Sequence, residues 1–189
     1  MAGPRVGILL AAGSGSRFGS NKLLHPLADG TPLALAAARR LVAACDRCIA
    51  VLRPGADALA AQLAAVGCAT VVCEEAAQGM GHSLAAGIRA SRDAGGWLVA
   101  LADMPFIAPA SYTAVGDALD RGHALAAPVH GGRRGHPVGF AAVWGEQLAA
   151  LTGDAGARDI LAANAAALHL CPVDDPGILR DIDTPADLP

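Results

Sequence analysis

The sequence predicts a single α/β domain in which a mostly parallel β-sheet carries helices on both faces. Short apolar runs alternate along the whole chain with helical segments of about ten residues or more, the pattern of parallel strands joined by crossover helices. The length of 189 residues suits one domain with one sizeable core. Aromatic residues make up only 3% of an alanine-rich chain, so we expect the helices to pack closely on the sheet.

Each element is predicted from an apolar run and the residues that bound it. The first strand covers residues 6–11 and ends at a glycine-rich loop. Thr31 is the expected N-cap of the next helix, with Pro32 at its first position. The other strands are predicted at 48–52, 69–73, 97–101, 125–129, 138–142 and 168–173, and the helices at 32–44, 57–66, 78–93, 109–121, 146–151 and 157–166.

The glycine-rich stretch that follows the first strand predicts a polyphosphate-binding loop. Residues 6–24 read VGILLAAGSGSRFGSNKLL. Glycines let the backbone come close to a ligand, and successive N–H groups can form a concavity for anions. Arg17 adds a planar cationic fork and Lys22 a mobile point charge. The alternative is a tight strand-to-helix turn with incidental basic residues, but such a turn does not need this many glycines and two cations.

Two common phosphate-binding motifs do not match this sequence. Gly19 is followed by Ser-Asn-Lys, whereas a P-loop requires Lys-Ser or Lys-Thr after its last glycine. In the dinucleotide fingerprint, the third glycine would stand at Phe18. A nicotinamide-dependent oxidoreductase is therefore disfavoured.

The string LAAG-x-G-x-R-x-G-x-x-K resembles the signature of nucleotidyltransferases that couple an NTP to a phosphorylated acceptor, and most of all the molybdenum-cofactor cytidylyltransferases. The resemblance runs from residue 6 to residue 187 and implies a Rossmann-like nucleotidyltransferase fold for a single domain, residues 1–189. It implies Arg17, Lys22 and Asp103 as catalytic residues. The nucleotide-binding residues that it implies in this loop are Leu10, Ala11, Ala12, Gly13, Gly15, Arg17 and Lys22.

Asp103 directly follows the apolar strand predicted at 97–101. A carboxylate at a strand end can hold Mg²⁺, which takes one or two carboxylates and completes its shell with substrate phosphates and water. The resemblance supports this site and implies Asp183 as the second carboxylate, with Asp181 and Asp187 as rivals. The alternative for Asp103 is the N-cap of the next helix.

A second glycine motif, Gln78-Gly79-Met80-Gly81-His82-Ser83, resembles the family segment that lines the base and ribose of the nucleotide. The resemblance implies that Gly79, Gly81 and Ser83 bind the nucleotide, with the glycines permitting close approach. The alternative is a glycine-softened helix start that is capped by Ser83.

Two further segments resemble the acceptor side of the family site. They are Gly131–Pro137, which contains Arg134 and His136, and Gly153-Asp-Ala-Gly-Ala-Arg158. The resemblance implies Arg134, His136, Asp154 and Arg158 as acceptor-binding residues, and guanidinium forks suit a phosphate. A solvated hairpin and an N-capped helix explain the same letters.

The resemblance implies transfer of CMP from CTP to the phosphate of molybdopterin, with Mg²⁺ as cofactor and a molybdoenzyme of the xanthine dehydrogenase type as a candidate partner. Leu10-Ala11-Ala12-Gly13 matches the cytidylyl branch, whereas the guanylyl branch usually reads Leu-Ala-Gly-Gly. The rivals are the same chemistry with GTP, a sugar phosphate or methylerythritol phosphate as acceptor, and a non-catalytic chaperone that hands the cofactor to a molybdoenzyme.

Composition argues against other classes. A net charge of −3 offers no footprint for nucleic acid, and no apolar run approaches the roughly 20 residues that span a bilayer. The five cysteines form no disulfide pattern, and Cys45-Asp-Arg-Cys48 lacks a partner pair for zinc. Cleavage of a signal peptide here would destroy the glycine loop. We therefore expect a cytoplasmic protein with reduced core cysteines.

Overall fold

The computed structural model describes residues 3–13 and 22–188, and the strands in these ranges form one sheet. They are β1 (Arg5–Leu10), β2 (Arg47–Leu52), β3 (Cys68–Val72), β4 (Gly96–Leu101), β5 (Leu125–His130), β6 (Arg133–Arg134), β7 (Val138–Ala141) and β8 (Leu168–Pro172). The helices are α1 (Leu33–Ala43), α2 (Asp57–Ala65), α3 (Met80–Arg89), α4 (Pro109–Asp120), α5 (Gly145–Ala149) and α6 (Arg158–Ala163). Short 3₁₀ turns include Lys22–Leu24, Ala76–Gln78, Pro176–Leu179 and Pro185–Asp187.

The strand order is β3-β2-β1-β4-β7-β5-β6, and β8 pairs with β5. The pairs β1–β2, β1–β4, β2–β3 and β5–β8 are parallel. Strand β7 is antiparallel to both β4 and β5. The mostly parallel sheet is therefore confirmed, and it carries an antiparallel insertion. The strand β1 lies between β2 and β4, which brings residues 11–13 next to the segments that follow those two strands.

Helices cover both faces of the sheet, as the sequence predicts. The side chains of β1 alternate, so that Leu9 packs in one core cluster and Ile8 in the other. The Leu9 cluster contains residues of α1, α2 and α4, and the Ile8 cluster contains residues of α3, α5 and α6. Both side chains are fully buried. The apolar run of β1 thus reflects burial on both faces.

The start of α1 differs from the prediction. Pro32, not Thr31, is the N-cap of α1, and no side chain caps this helix. The Thr31 amide instead donates to Asp29 Oδ1 at 2.9 Å, because a short Asx turn precedes the helix. In the segment at 131–136, β6 pairs with the end of β5 and forms a hairpin. Gly131 and Gly132, with φ of 55° and 76°, form the tight turn of this hairpin.

The five cysteines are free thiols. Cys45 follows α1 and Cys48 lies in β2, so the C-x-x-C spans a helix end and a strand start. Cys48 and Cys68 are buried opposite each other in the β2–β3 register, with their sulfurs 3.2 Å apart. Among the described residues, no helix combines the length and the apolar character needed to cross a membrane.

Candidate active site

A cavity of about 820 Å³ opens where β1, β2 and β4 end. The carboxyl ends of parallel strands meet at one edge of a sheet, where ligands of such folds bind. Most of the nucleotide-binding and metal-binding residues predicted within the described ranges line this cavity. They are Leu10, Ala12, Gly13, Gly79, Ser83 and Asp103.

Four of the other predicted residues, Ala11, Lys22, Gly81 and Asp183, do not line the cavity, and two lie outside the described ranges. Gly15 and Arg17 fall outside the described residues. Ala11 is in the hydrophobic core with 3% of its surface exposed, and its amide donates to the Val51 carbonyl at 3.0 Å. The Ala11 side chain thus packs the strand end, while its neighbour Ala12 lines the cavity.

Lys22, Asp103 and Asp183 meet beside the cavity. The Lys22 ammonium Nζ donates to Asp103 Oδ2 at 2.9 Å and to Asp183 Oδ1 at 3.0 Å. The exposed fractions of the three side chains are 8%, 25% and 49%. Lys22 is nearly buried, because both carboxylates draw the ammonium inward. Two carboxylates around one ammonium leave the group with a net negative charge.

The pKa of Lys22 reflects opposing influences. Burial disfavours the charged ammonium and would lower the pKa, but the hydrogen bonds and charges of Asp103 and Asp183 outweigh it, so the pKa is raised. Lys22 therefore remains a cation at physiological pH. Asp103 and Asp183 engage two of the three N–H donors of this ammonium.

Backbone contacts bring Asp183 to Asp103 from the far end of the chain. The Ile182 amide donates to the Asp103 carbonyl at 3.0 Å, and the Ile182 side chain is fully buried. Of the three carboxylates considered for the second metal ligand, Asp183 is the one that shares Lys22 with Asp103. The Asp187 carboxylate accepts hydrogen bonds within its own turn, and Asp181 is exposed.

Asp103 is not a helix cap. Helix α4 begins at Pro109 with Ala108 as its N-cap. The carboxylate at that helix start is Asp175, whose Oδ2 accepts from the Ala108 amide at 2.7 Å and from Ser111 Oγ at 2.6 Å. The alternative explanation of Asp103 therefore fails. Its carboxylate is engaged by Lys22 and remains a quarter exposed.

Asp103 and Asp183 together fit a hard divalent cation. Both offer carboxylate oxygens, the donor type that Mg²⁺ and Mn²⁺ prefer. Among the described residues there is no group of three or more His, Cys, Asp or Glu side chains that could hold a metal ion by themselves. Two carboxylates suit a cation whose remaining ligands are water and substrate phosphates.

The glycines of the second motif serve helix packing. Gly79 has φ of 132°, and a Cβ there would lie 2.3 Å from the Gly153 backbone. The Gly81 amide donates to the Gly153 carbonyl at 2.8 Å, and a Cβ on Gly81 would lie 2.5 Å from the Thr152 carbonyl oxygen. The glycines therefore let the backbone at residues 152–153 pack closely against the start of α3. Gly81 does not line the cavity.

Ser83 lines the large cavity and is 4% exposed. Gly79 is the N-cap of α3, and no side chain caps the helix. The alternative in which Ser83 caps α3 is therefore wrong. Its hydroxyl stands one turn into the helix, at the wall of the cavity.

A second cavity of about 290 Å³ adjoins the first, with Leu10, Met80 and Leu101 in the walls of both. Three of the predicted acceptor residues line it: Arg134, His136 and Arg158. The fourth, Asp154, lines the larger cavity. The rest of the second cavity is mainly apolar and includes Leu84, Val99, Val138, Phe140 and Leu161.

Arg134 and Arg158 are exposed cations at the second cavity, whereas His136 is neutral there. Burial and the neighbouring Arg134 charge lower the pKa of His136 to about 4, although the Asp181 charge opposes this. Arg134 stands in the β5–β6 hairpin. Arg158 is the first residue of α6, whose N-cap is Ala157 without a side-chain bond. Asp154 therefore does not cap this helix.

Two polar residues of the large cavity are missing from the sequence prediction. Arg53 and Glu74 line it. Arg53 directly follows β2, and Glu74 comes two residues after β3. The rule that identifies Asp103, a polar residue just beyond a buried parallel strand, could have found both.

Known proteins resemble this chain over nearly its whole length. Residues 7–169 match the MobA-like NTP transferase domain. The purine catabolism protein PucB of Bacillus subtilis is 29% identical over 95% of this chain and 92% of its own. Rv0371c of Mycobacterium tuberculosis has the same fold, with a TM-score of 0.83 and 29% identity over 99% of this chain and 96% of its own. A structure of Rv0371c in complex with manganese has a TM-score of 0.78 and 26% identity over the same shares.

Proposed function

The chain belongs to the MobA-like NTP transferase family and is thus a nucleotidyltransferase, and we propose that it transfers CMP from CTP to the terminal phosphate of molybdopterin, releasing pyrophosphate. One observation carries the proposal. Lys22, Asp103 and Asp183 meet beside a strand-end cavity that adjoins a second cavity with two guanidinium groups. A cation, two metal-binding carboxylates and a separate anion site are what phosphate-to-phosphate transfer requires.

The nucleotide occupies the large cavity in this proposal, with its base and ribose beside Ala12 and Ser83. Asp103 and Asp183 would hold a Mg²⁺ ion, and the manganese complex of the relative Rv0371c supports a divalent cation. When bound, the cation supplies positive charge that neutralises the phosphates and lets two anions approach. Arg17 and the loop amides hold the β- and γ-phosphates.

Lys22 neutralises the charge that develops on the α-phosphate during transfer. The ammonium is already beside both carboxylates, 2.9 and 3.0 Å from their oxygens. It leaves them as the phosphates bind, so one side chain serves first the carboxylates and then the substrate. The acceptor phosphate is ionised near neutral pH, and no general base is needed. Positioning and charge neutralisation carry the reaction.

The second cavity binds the acceptor. Arg134 and Arg158 suit its phosphate, because guanidinium groups pair with phosphate through two hydrogen bonds. Neutral His136 adds a hydrogen-bonding group without charge. The apolar walls, among them Val138 and Phe140, suit the faces of a flat ring better than a polyhydroxylated chain. These features favour a pterin acceptor over a sugar phosphate or methylerythritol phosphate.

The name of the relative PucB refers to purine catabolism. This supports a molybdoenzyme of the xanthine dehydrogenase type as the recipient of the product. A non-catalytic carrier would have no need of the lysine and carboxylate pair. Release of pyrophosphate separates the two functions, because a carrier releases none.

The choice of CTP rests on Ala12, whose methyl group lines the cavity at the end of β1. A pyrimidine is smaller than a purine, so a narrower space favours CTP. One methyl group is worth only about 1–3 kcal/mol of discrimination. We therefore expect the wild type to prefer CTP, and Ala12→Gly to reduce the preference without inverting it.

The test supplies purified protein with Mg²⁺, molybdopterin and each of the four NTPs, and follows pyrophosphate release. Equimolar CTP and GTP in competition then report the base, with the product identified by mass. Cytidylylated molybdopterin is the expected product. A guanylylated product would show that the nucleotide donor is GTP and not CTP. Transfer only to a sugar phosphate would show that the acceptor is not molybdopterin.

A further inference from the structure

The Asp183 carboxylate is half exposed and is held by the Lys22 ammonium and by the backbone segment that carries it. On one side, the buried Ile182 anchors the segment to the Asp103 carbonyl through a hydrogen bond of 3.0 Å. On the other side, the chain turns into the 3₁₀ turn Pro185–Asp187. The conformation of that turn determines where the Asp183 carboxylate stands relative to Asp103.

Asp187 closes the turn. Its Oδ2 accepts hydrogen bonds from the Asp183 amide at 3.0 Å, the Thr184 amide at 2.7 Å and Thr184 Oγ1 at 2.9 Å. Hydrogen bonds to a carboxylate are roughly twice as strong as neutral ones. The Thr184 backbone bond, the Thr184 hydroxyl and the Asp183 amide all lower the pKa of Asp187. One carboxylate oxygen thus holds the peptide on which Asp183 is carried.

We propose that Asp187 is a positioning residue that holds Asp183 opposite Asp103 for binding of the divalent cation. The inference rests on the proposed metal-dependent function. The affinity for a cation held by two protein carboxylates depends on their spacing. If the protein does not hold the carboxylates in place, they must become ordered when the cation binds, and this costs conformational entropy. Loss of partners that orient metal ligands typically lowers metal affinity about 10–100-fold.

The experiment measures Mn²⁺ binding to the intact protein with saturating CTP and no acceptor, using the electron paramagnetic resonance signal of free Mn²⁺. We expect Asp187→Ala to raise the Mn²⁺ dissociation constant about tenfold. Asp187→Asn should fall between this variant and the wild type, because the amide oxygen still accepts the same bonds without charge. Thr184→Val removes one donor and should give a smaller increase.

Asp181→Ala is the matched control, since it removes an exposed carboxylate from the same segment and should leave the dissociation constant unchanged. In turnover, Asp187→Ala should raise the Mg²⁺ concentration needed for half-maximal rate and change kcat at saturating Mg²⁺ less than threefold. A merely structural role would instead lower kcat or the melting temperature without moving the metal dependence.

Wild-type Mn²⁺ affinity in both Asp187→Ala and Asp187→Asn would overturn the positioning role and leave the proposed function intact. An equal loss in Asp181→Ala would also overturn it, because general charge would then explain the effect. If the wild type bound no Mn²⁺ even with CTP, the metal site itself would fail, and the positioning role with it.

Discussion

Lys22 is the residue whose environment says most about the chemistry. It is a nearly buried ammonium shared by two carboxylates, so it occupies the space between the groups that are proposed to hold a cation. We expect Lys22→Met, which keeps the length and removes the charge, to lower turnover about 100-fold or more. It should also increase the affinity for Mn²⁺ without nucleotide, because the carboxylate pair loses its internal counter-charge.

Turnover assays and Mn²⁺ titration of the same Lys22→Met preparation test the expected loss of activity and the expected gain in metal affinity. The loss of stability should be smaller than the roughly 3–5 kcal/mol of a fully buried pair, since Asp183 is half exposed. Unchanged turnover at saturating CTP would remove Lys22 from the mechanism. Weaker Mn²⁺ binding in the variant would mean that the ammonium supports the metal site.

Asp103→Asn is the complementary change. The amide keeps the shape of the side chain, and α4 does not depend on it for capping. We expect nearly complete loss of turnover and of Mn²⁺ binding, because a neutral amide is a poor substitute for one of two metal-binding carboxylates. Circular dichroism should show an intact fold. Full activity of the variant would refute the metal role.

At the scale of elements, the start of α3 is joined to the turn at residues 152–153. Gly81→Ala should destabilise the protein by about 1–3 kcal/mol, the usual cost of overpacking, because the new Cβ would meet the Thr152 carbonyl oxygen. Helix propensity alone predicts the opposite, a gain of up to about 1 kcal/mol. Urea denaturation distinguishes the two.

Gly116→Ala in α4 is the control for this change. The nearest atoms to a Cβ there belong to the guanidinium of Arg5. This group donates to Ala44 and Asp120, but as the end of a long side chain it can shift more easily than backbone. We expect an effect close to zero or mildly stabilising. Equal destabilisation by both substitutions would show that contact with the 152–153 backbone is not what limits Gly81.

At the scale of the whole molecule, stability should depend on the His136 side chain. Its pKa is about 4 in the folded protein and 6.5 when unfolded, so the unfolded chain binds the additional proton between these values. The contribution of His136 to the free energy of unfolding is therefore fully present above about pH 6.5. It falls by on the order of 2–3 kcal/mol as the pH decreases toward 4.

We expect His136→Gln, which cannot titrate, to flatten the pH dependence of the unfolding free energy in this window. Denaturation of both proteins at pH 7, 5.5 and 4.5 gives the comparison. Hydrogen bonds lower the pKa values of carboxylates such as Asp187 and Asp93. Protonation of these groups in acid also reduces the free energy of unfolding, and it does so in both proteins. The difference between the two curves isolates His136. Parallel curves would contradict the role of this group.

Local sequence determines the elements of this protein and the loops that carry its polar residues. The strand and helix alternation and the strand-end position of Asp103 are readable because side-chain periodicity and turn chemistry act over a few residues. The loop string and Asp103 also carry the family resemblance. The large cavity lies where the strand-end rule predicts it.

The tertiary structure alone decided which distant groups meet. Lys22 is separated by 81 residues from Asp103 and by 161 from Asp183, so no local pattern could show that one ammonium bridges both carboxylates. The antiparallel direction of β7 and the packing of Gly81 on residues 152–153 are likewise long-range. Burial also moved Ala11 into the core and Lys22 away from solvent. These outcomes depend on which surfaces the whole chain buries together, and local periodicity carries no information about them.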